Sequence, residues 1–177
     1  MIRFFDLFFS LVGLVITSPL LIVIYLLCWM DTGSPIFTQR RVGRFEKVFI
    51  IYKFRTMTLQ ARSLPTHNSD KAWVTLLGGF LRRAKLDELP QLFNVLVGEM
   101  SLVGPRPGLP DHLELTSARR KLDIFSIRPG ITGPAQNDGI DMSQPEALAL
   151  RDAEWHRNMT LSSYFKYLFK TFLKIII

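Results

Sequence analysis

Cysteine is almost missing. The 177 residues hold one, Cys28, which excludes an internal disulfide and fits a reducing compartment. Histidine is nearly as scarce, with three scattered at 67, 112 and 156, and no Cys/His spacing suits zinc. No internal repeat or low-complexity tract is present. Charge is absent from residues 4–30 apart from Asp6, in FFDLFFSLVGLVITSPLLIVIYLLCWM. Acid is absent from 157–177 and sparse in 40–85, where eleven Lys/Arg face two acids. The net charge of +7 is therefore unevenly placed. A mean hydropathy of +0.19 is high for a chain with 21% charged residues. Together these describe one domain able to bury a real core, joined to membrane-seeking segments.

The 4–30 run is long enough to cross a bilayer. No small-residue cleavage site follows it, and Arg3 alone is a thin positive start, so a signal peptide fits poorly. Two features also oppose a plain span. Ser18-Pro19 sits mid-run, where proline removes a helix hydrogen bond and kinks the axis. Arginine flanks both sides, Arg3 before and Arg40, Arg41 and Arg44 after, and a crossing helix cannot keep both flanks on the positive side. A helix that enters, breaks at Ser18-Pro19 and returns to the same face satisfies both.

Residues 31–47 hold turn-formers and then a basic run. Val48–Tyr52 read as a strand, and Lys53 and Arg55 then alternate onto one face, where two cations could meet a phosphate or form a solvated edge. Residues 58–72 read as a polar, mobile loop, and 73–86 as an apolar-then-basic helix. The centre of the chain is KLDELPQLFNVLVGEMSLVGPRP, 85–107. Pro90 suits a first helical turn, and Gly98 suits the stop. Leu89, Leu92, Phe93 and Leu96 follow one helical face, which predicts a helix pinned to the core by those four. Asp87 and Glu88 would stand at its N-terminus, where the macrodipole favours an ionised Asp87. A bare helix cap explains such a pair equally well. Arg82, Arg83 and Lys85 lie upstream, and Arg106 sits in a stiff Gly-Pro-Arg-Pro turn. Two acids among fixed cations suit phosphate and a divalent metal.

Residues 108–126 read as a polar helix with Arg119, Arg120 and Lys121 on a solvated face. IRPGITGPAQNDG, 127–139, is too rich in Gly and Pro for regular structure and reads as a stiff loop carrying Arg128, Thr132, Gln136 and Asn137. In LSSYFKYLFKTFLKIII, Lys166, Lys170 and Lys174 form an i, i+4 stripe on an aromatic helix. That pattern fits an interfacial helix on an anionic membrane. The basic excess alone would admit a nucleic-acid partner, but the apolar start and aromatic end oppose it, and no nucleic acid is expected.

FDLFFS (5–10), Ser18-Pro19, GSPIFTQRRVG (33–43), YKFRTM (52–57), LDELPQLFNVLVGEMSLVGPRP (86–107) and RPGITGPAQNDG (128–139) occur in order. In that order they resemble the monotopic phosphoglycosyl transferases, bacterial enzymes that start lipid-linked glycan assembly. The length resembles that of the small members limited to a catalytic core. The resemblance implies an α/β, mostly helical fold. It would have a re-entrant membrane helix over 1–30, a catalytic domain on the cytoplasmic face over 31–156, and an interfacial amphipathic helix over 157–177, at the inner membrane.

It also implies transfer of sugar-1-phosphate from a UDP-sugar to polyprenyl phosphate with release of UMP, as a first step in exopolysaccharide or other glycan assembly. The route would be ping-pong through a covalent phosphosugar on Asp87, with Glu88 at Mg²⁺. Asp87 and Glu88 are then the catalytic and metal residues. Lys53, Arg55, Arg106 and Arg128 become phosphate ligands, Thr132, Gln136 and Asn137 a donor loop, and Ser18 and Pro19 the membrane break. Partners are the UDP-sugar, polyprenyl phosphate and membrane lipid, and a homo-oligomer stays open. Trp73, Pro134, the loop NDG in place of NGR, Trp155 and Tyr164 depart from the family pattern. They bear on sugar specificity more than on reaction type. They also admit a second reading, a catalytically idle membrane-anchored partner of a glycan assembly complex.

Overall fold

The computed structural model describes residues 1–61 and 73–176. Arg62, Lys71 and most of the 58–72 loop lie outside them. The first element, α1 (Ile2–Thr32), is one helical run with Pro19 inside it. It is the one described helix long and apolar enough to cross a membrane. Pro19 cannot donate to the Val15 carbonyl, and the Ser18 hydroxyl donates to it instead at 2.8 Å. Thr17 Oγ1 similarly donates to Gly13 O at 2.7 Å. Side-chain hydroxyls thus satisfy the backbone around the proline, and the helical assignment continues through the expected break.

Both halves of α1 are tied to the same globular body. Near the start, Arg3 donates to Val95 O (2.7 Å) and Leu96 O (3.1 Å). Asp6, only 2% exposed, accepts from Ser101 Oγ, Leu102 N and Tyr164 Oη, each at 2.9 Å. Near the end, Ile24 and Cys28 pack on Phe54 and Leu81, and Asp31 accepts from Thr75 at 2.6 Å. Between these anchors the outer face exposes large apolar side chains, from Phe4 and Phe8 through Val15 and Ile16 to Trp29 and Met30.

After α1, β1 (Ile36–Val42) and β2 (Val48–Phe54) form an antiparallel hairpin with Phe37 opposite Lys53. Then come α2 (Leu76–Arg83), a 3₁₀ turn (Leu86–Glu88) and α3 (Gln91–Val97). The strands β3 (Ser101–Val103) and β4 (Gly130–Thr132) pair in parallel, with α4 (Leu113–Lys121) in the crossover. Helices α5 (Pro134–Asn137), α6 (Pro145–Arg157) and α7 (Leu161–Ile176) complete the chain. The main core gathers Phe49, Ile51, Val95, Met100, Leu102, Trp155, Tyr164 and Tyr167 from β2, α3, β3, α6 and α7. The fold is α/β and mostly helical, as the sequence implies.

Four local expectations change. The stiff loop 127–139 contains a strand and a short helix. Its prolines sit where regular structure admits them, Pro129 just before β4 and Pro134 in the first turn of α5. Its glycines let backbones meet, since a Cβ at Gly130 would stand 2.1 Å from Gly104 N. On α3 the buried face is Gln91, Asn94 and Val95, while Phe93 is exposed and Leu89 and Leu92 line a cavity. The apolar stripe therefore looks outward rather than into the core. Arg119 is not solvated. It is 2% exposed and paired with Asp152 at 2.7 Å. Two of the three stripe lysines turn toward the protein, Lys170 to Asp138 (3.1 Å) and Lys174 to Asn137 O (2.5 Å). Phe169, Phe172 and Leu173 are the exposed apolar side chains of α7.

Replacing Asp6 with Leu leaves three buried donors without their shared acceptor and should cost on the order of 3–5 kcal/mol. Tyr164→Phe, which removes one donor and leaves the carboxylate its other two, should cost about 1 kcal/mol. Thermal unfolding of the detergent-solubilised variants measures both, and equal losses would contradict the shared-acceptor account.

Candidate active site

The turn Leu86–Glu88 carries the acid pair, one turn ahead of α3 rather than on its first turn. Lys85 opens the turn in the left-handed region, at φ 56°. That conformation is costly for a side chain larger than glycine and is held here by the packing on either side. Asp87 is 8% exposed, and its carboxylate forms no side-chain hydrogen bond among the described residues. Glu88 accepts from Lys53 Nζ at 2.5 Å across the gap from β2. Asn94 fixes that gap. Its amide donates to Ile50 O and Glu99 Oε2, both at 2.7 Å, and accepts from Tyr52 N at 3.3 Å. The helix that follows the acids is thereby joined to the strand that carries the lysine.

Environment separates the two acids. Burial, and then the charge of Glu88, push the Asp87 carboxyl above its ordinary range, against Lys53, Lys85 and Arg82. Burial also acts to raise Glu88, but Lys53 and Arg106 outweigh it and bring it down to about 2. The macrodipole argument for Asp87 is overridden. The acid is buried on a turn beside a like charge, and α3 is only seven residues long. Acid pairs pushed apart in this way are a mark of functional sites.

Around Glu88 a narrow polar pocket of about 10 Å³ is lined by Arg41, Lys53, Gln91 and Arg106. The Arg106 side chain makes no hydrogen bond among the described residues. Its carbonyl is held by Arg119 Nη1 at 2.7 Å, and Arg119 is in turn fixed by Asp152, so the Gly-Pro-Arg-Pro turn is braced from behind. Arg41 is 5% exposed and reaches Pro107 O (3.0 Å) and Gln39 Oε1 (2.5 Å). Burial, and then the neighbouring Arg106, lower it to about 10, which still leaves it charged at neutral pH. Arg41 Nε and Gln91 Nε2 are buried and have no partner among the described residues. Unpaired buried donors beside two repelling guanidinium groups make a ready cradle for an anion.

A second, larger cavity of about 870 Å³ opens on the other side of Glu88. Thr132, Gln136 and Asn137 all line it, so the structure brings the expected donor loop to the acid pair's neighbourhood. Thr132 and Asn137 are linked to Thr171 of α7 at 2.6 and 3.0 Å. Gln136 Oε1 and Asn137 Oδ1 have no partner among the described residues.

Two predicted phosphate ligands lie elsewhere. Arg55 holds the α1–β1 turn, through Ser34 O (2.8 Å) and Ile36 O (3.2 Å), and points away from the acids. Arg128 donates to Gly98 O at 2.8 Å, beside Arg3, and both cap the C-terminal carbonyls of α3, the end opposite the acids. Period-two alternation put Arg55 with Lys53, but the turn claims its guanidinium first. Sequence reasoning missed Arg41, Gln91 and Asn94. The signals were present: Gln39 and Arg41 share a face of β1, and Gln91 directly follows the Asp-Glu-Leu-Pro turn. The described residues contain no group of three or more His, Cys, Asp or Glu that could cage a metal. The donor set does fit Mg²⁺, which binds through one or two carboxylates and takes its other ligands from water and phosphate. Asp87 and the Glu88 oxygen not used by Lys53 supply those two.

The bacterial sugar transferase family profile matches residues 1–177. The undecaprenyl-phosphate galactose phosphotransferase of Salmonella typhimurium strain LT2 is 36% identical over 96% of this chain. A putative undecaprenyl-phosphate N-acetylgalactosaminyl 1-phosphate transferase of Bacillus subtilis strain 168 is 44% identical over 63% of it. The exopolysaccharide production protein ExoY of Sinorhizobium fredii is 36% identical over 96%. The chain spans 39%, 64% and 82% of those three proteins respectively. With the family matched over its full length, this chain belongs to the bacterial sugar transferases.

Proposed function

We propose that the chain transfers sugar-1-phosphate from a UDP-sugar to polyprenyl phosphate at the cytoplasmic face of the inner membrane. The observation that carries this reading is the position of Glu88, between a cation-lined polar pocket and a large, mostly apolar cavity, with Asp87 free beside it. Such a site can serve a water-soluble anionic donor and a lipid acceptor in turn. The relatives named for undecaprenyl-phosphate transfer support the same substrates.

In the first step an Asp87 oxygen attacks the phosphorus that bears the sugar. The bond from that phosphorus to the UMP oxygen breaks, and UMP leaves with the electron pair. In the second step an oxygen of polyprenyl phosphate attacks the same phosphorus. The acyl phosphate bond breaks, Asp87 returns as a carboxylate, and polyprenyl-diphosphate-sugar leaves. Acyl phosphates are reactive enough for this exchange. Lys53, Arg106, Arg41 and Gln91 would hold the diphosphate oxygens as charge redistributes, because phosphoryl transfer depends mainly on positioning and charge cancellation. Mg²⁺ held at Asp87 and Glu88 would neutralise charge on those oxygens. Asp87 must lose its proton to attack, so its raised pKa makes the first step fall off at a higher pH than an ordinary carboxylate would give. Glu88 and Lys53 keep a charged pair in place throughout.

The anchoring of α1 supports a re-entrant membrane helix. A straight helix of this length would be about 45 Å long. Its Arg3 end and its Asp31 end both bind the one globular body, while the residues between expose apolar side chains. A hairpin that dips into one leaflet at Ser18-Pro19 meets both conditions.

UMP release from a panel of UDP-sugars, with Mg²⁺ and polyprenyl phosphate, tests the activity. Wild-type protein should release UMP, and Asp87→Asn should lose at least about a thousandfold while remaining membrane-bound. Silence of folded wild-type protein across the panel would point to an idle assembly partner. Glu88→Gln removes the like charge beside Asp87 and should move the acid limb of the first step to lower pH. An unchanged limb would remove Asp87 as its source.

A further inference from the structure

We propose that the 870 Å³ cavity is the acceptor's seat, holding the first isoprene units of polyprenyl phosphate with its phosphate between Lys85 and Lys174. This rests on the transferase reading above and adds the place where the lipid sits. Nine of the sixteen lining side chains are apolar, among them Phe9 of α1, Leu92 of α3 and Leu168 and Phe172 of α7. A nucleotide sugar is polar along its whole length and would leave those walls unpaired with anything. An isoprenoid chain would cover them.

The polar residues gather toward the acid pair. Lys85 precedes Asp87 by two positions, and Lys174 Nζ is held at the donor loop by Asn137 O at 2.5 Å. Two cations lie in the same cavity as Glu88, and a phosphate carries the charge that complements them. The walls belong to the two elements that expose the most apolar surface. Phe4 and Phe8 of α1 are 67% and 51% exposed, and Phe169 and Phe172 of α7 are 62% and 58% exposed. The cavity is therefore bounded by the surfaces a bilayer would cover, so a lipid can enter from the leaflet without crossing water.

The experiment separates the two half-reactions in the full chain reconstituted in nanodiscs. Leu168→Trp fills the cavity. Lys174→Met removes one cation without adding bulk, and Lys174→Arg restores charge. The UMP burst formed without acceptor should keep its amplitude and rate in Leu168→Trp, whereas the KM for polyprenyl phosphate should rise at least about tenfold. Lys174→Met should raise that KM by about fivefold, with most of the loss recovered in Lys174→Arg. An unchanged acceptor KM in both variants, with a normal burst, would overturn the acceptor seat and leave the transferase reading standing. Weaker retention in nanodiscs at unchanged acceptor KM would assign the cavity to a bilayer lipid and overturn it equally. No burst in wild-type protein would instead sink the transferase reading itself.

Discussion

The Asp6 carboxylate is the constraint on which the architecture depends. It is the one charge in the apolar run 4–30, and a charge there is unfavourable in lipid and in a dry core alike. The structure meets that cost by giving one of its oxygens three donors from two other elements, Ser101 and Leu102 of β3 and Tyr164 of α7. An ion held in this way has one place to be. It fixes the rotation of α1 about its axis, and so decides which of its faces meets the protein and which exposes apolar side chains. The walls of the large cavity come from α1, α3 and α7 and take their spacing from that junction. Tyr164, which departs from the family pattern, is fully buried, and its hydroxyl completes the junction.

At the other end of α3 the same low-dielectric logic produces chemistry in place of anchoring. Glu88 gains a lysine within hydrogen-bond distance and an arginine nearby, and these hold it ionised despite burial. Asp87 gains burial and a like-charged neighbour, which push it the other way. Two residues adjacent in sequence thus have opposite electrostatic roles. Which oxygen is committed to a fixed cation makes the difference. Glu88 is partly used up by Lys53, and Asp87 remains available.

The sequence made the acid pair, Lys53, Arg106 and the three loop residues legible, because each lies in a short motif whose backbone constraints are local. The mixed, mostly helical class was legible for the same reason. Long-range competition for donors was not. Arg55 and Lys53 are equivalent by strand alternation, yet only Lys53 lies opposite the turn that carries Glu88, and the Ser34 and Ile36 carbonyls take Arg55. Arg128 likewise serves the carbonyls that end α3. Arg41 read as part of a basic flank, although its burial depends on the register that pairs β1 with β2 and on the proline turn above it. The parallel strand pair was hidden because each partner is three residues long and one of them lies among prolines.

The lysine stripe of α7 shows how a correct periodicity can receive the wrong partner. Three lysines at i, i+4 spacing fit an anionic membrane, and an aromatic helix lends itself to that reading. The negative charge they meet is closer. Asp138 stands where the family pattern has a neutral loop residue, and it draws both Lys170 and Arg151 at 3.1 and 2.8 Å. Arg151 in turn donates to Tyr167 at 2.7 Å, tying α5, α6 and α7 through one carboxylate. The polar edge of α7 is thereby sealed against the donor loop, and its aromatic edge is left outward. Orientation at a membrane then follows from which side the protein has already satisfied. The residues that find partners inside face inward, and Phe169, Phe172 and Leu173, which find none, define the surface a bilayer would cover.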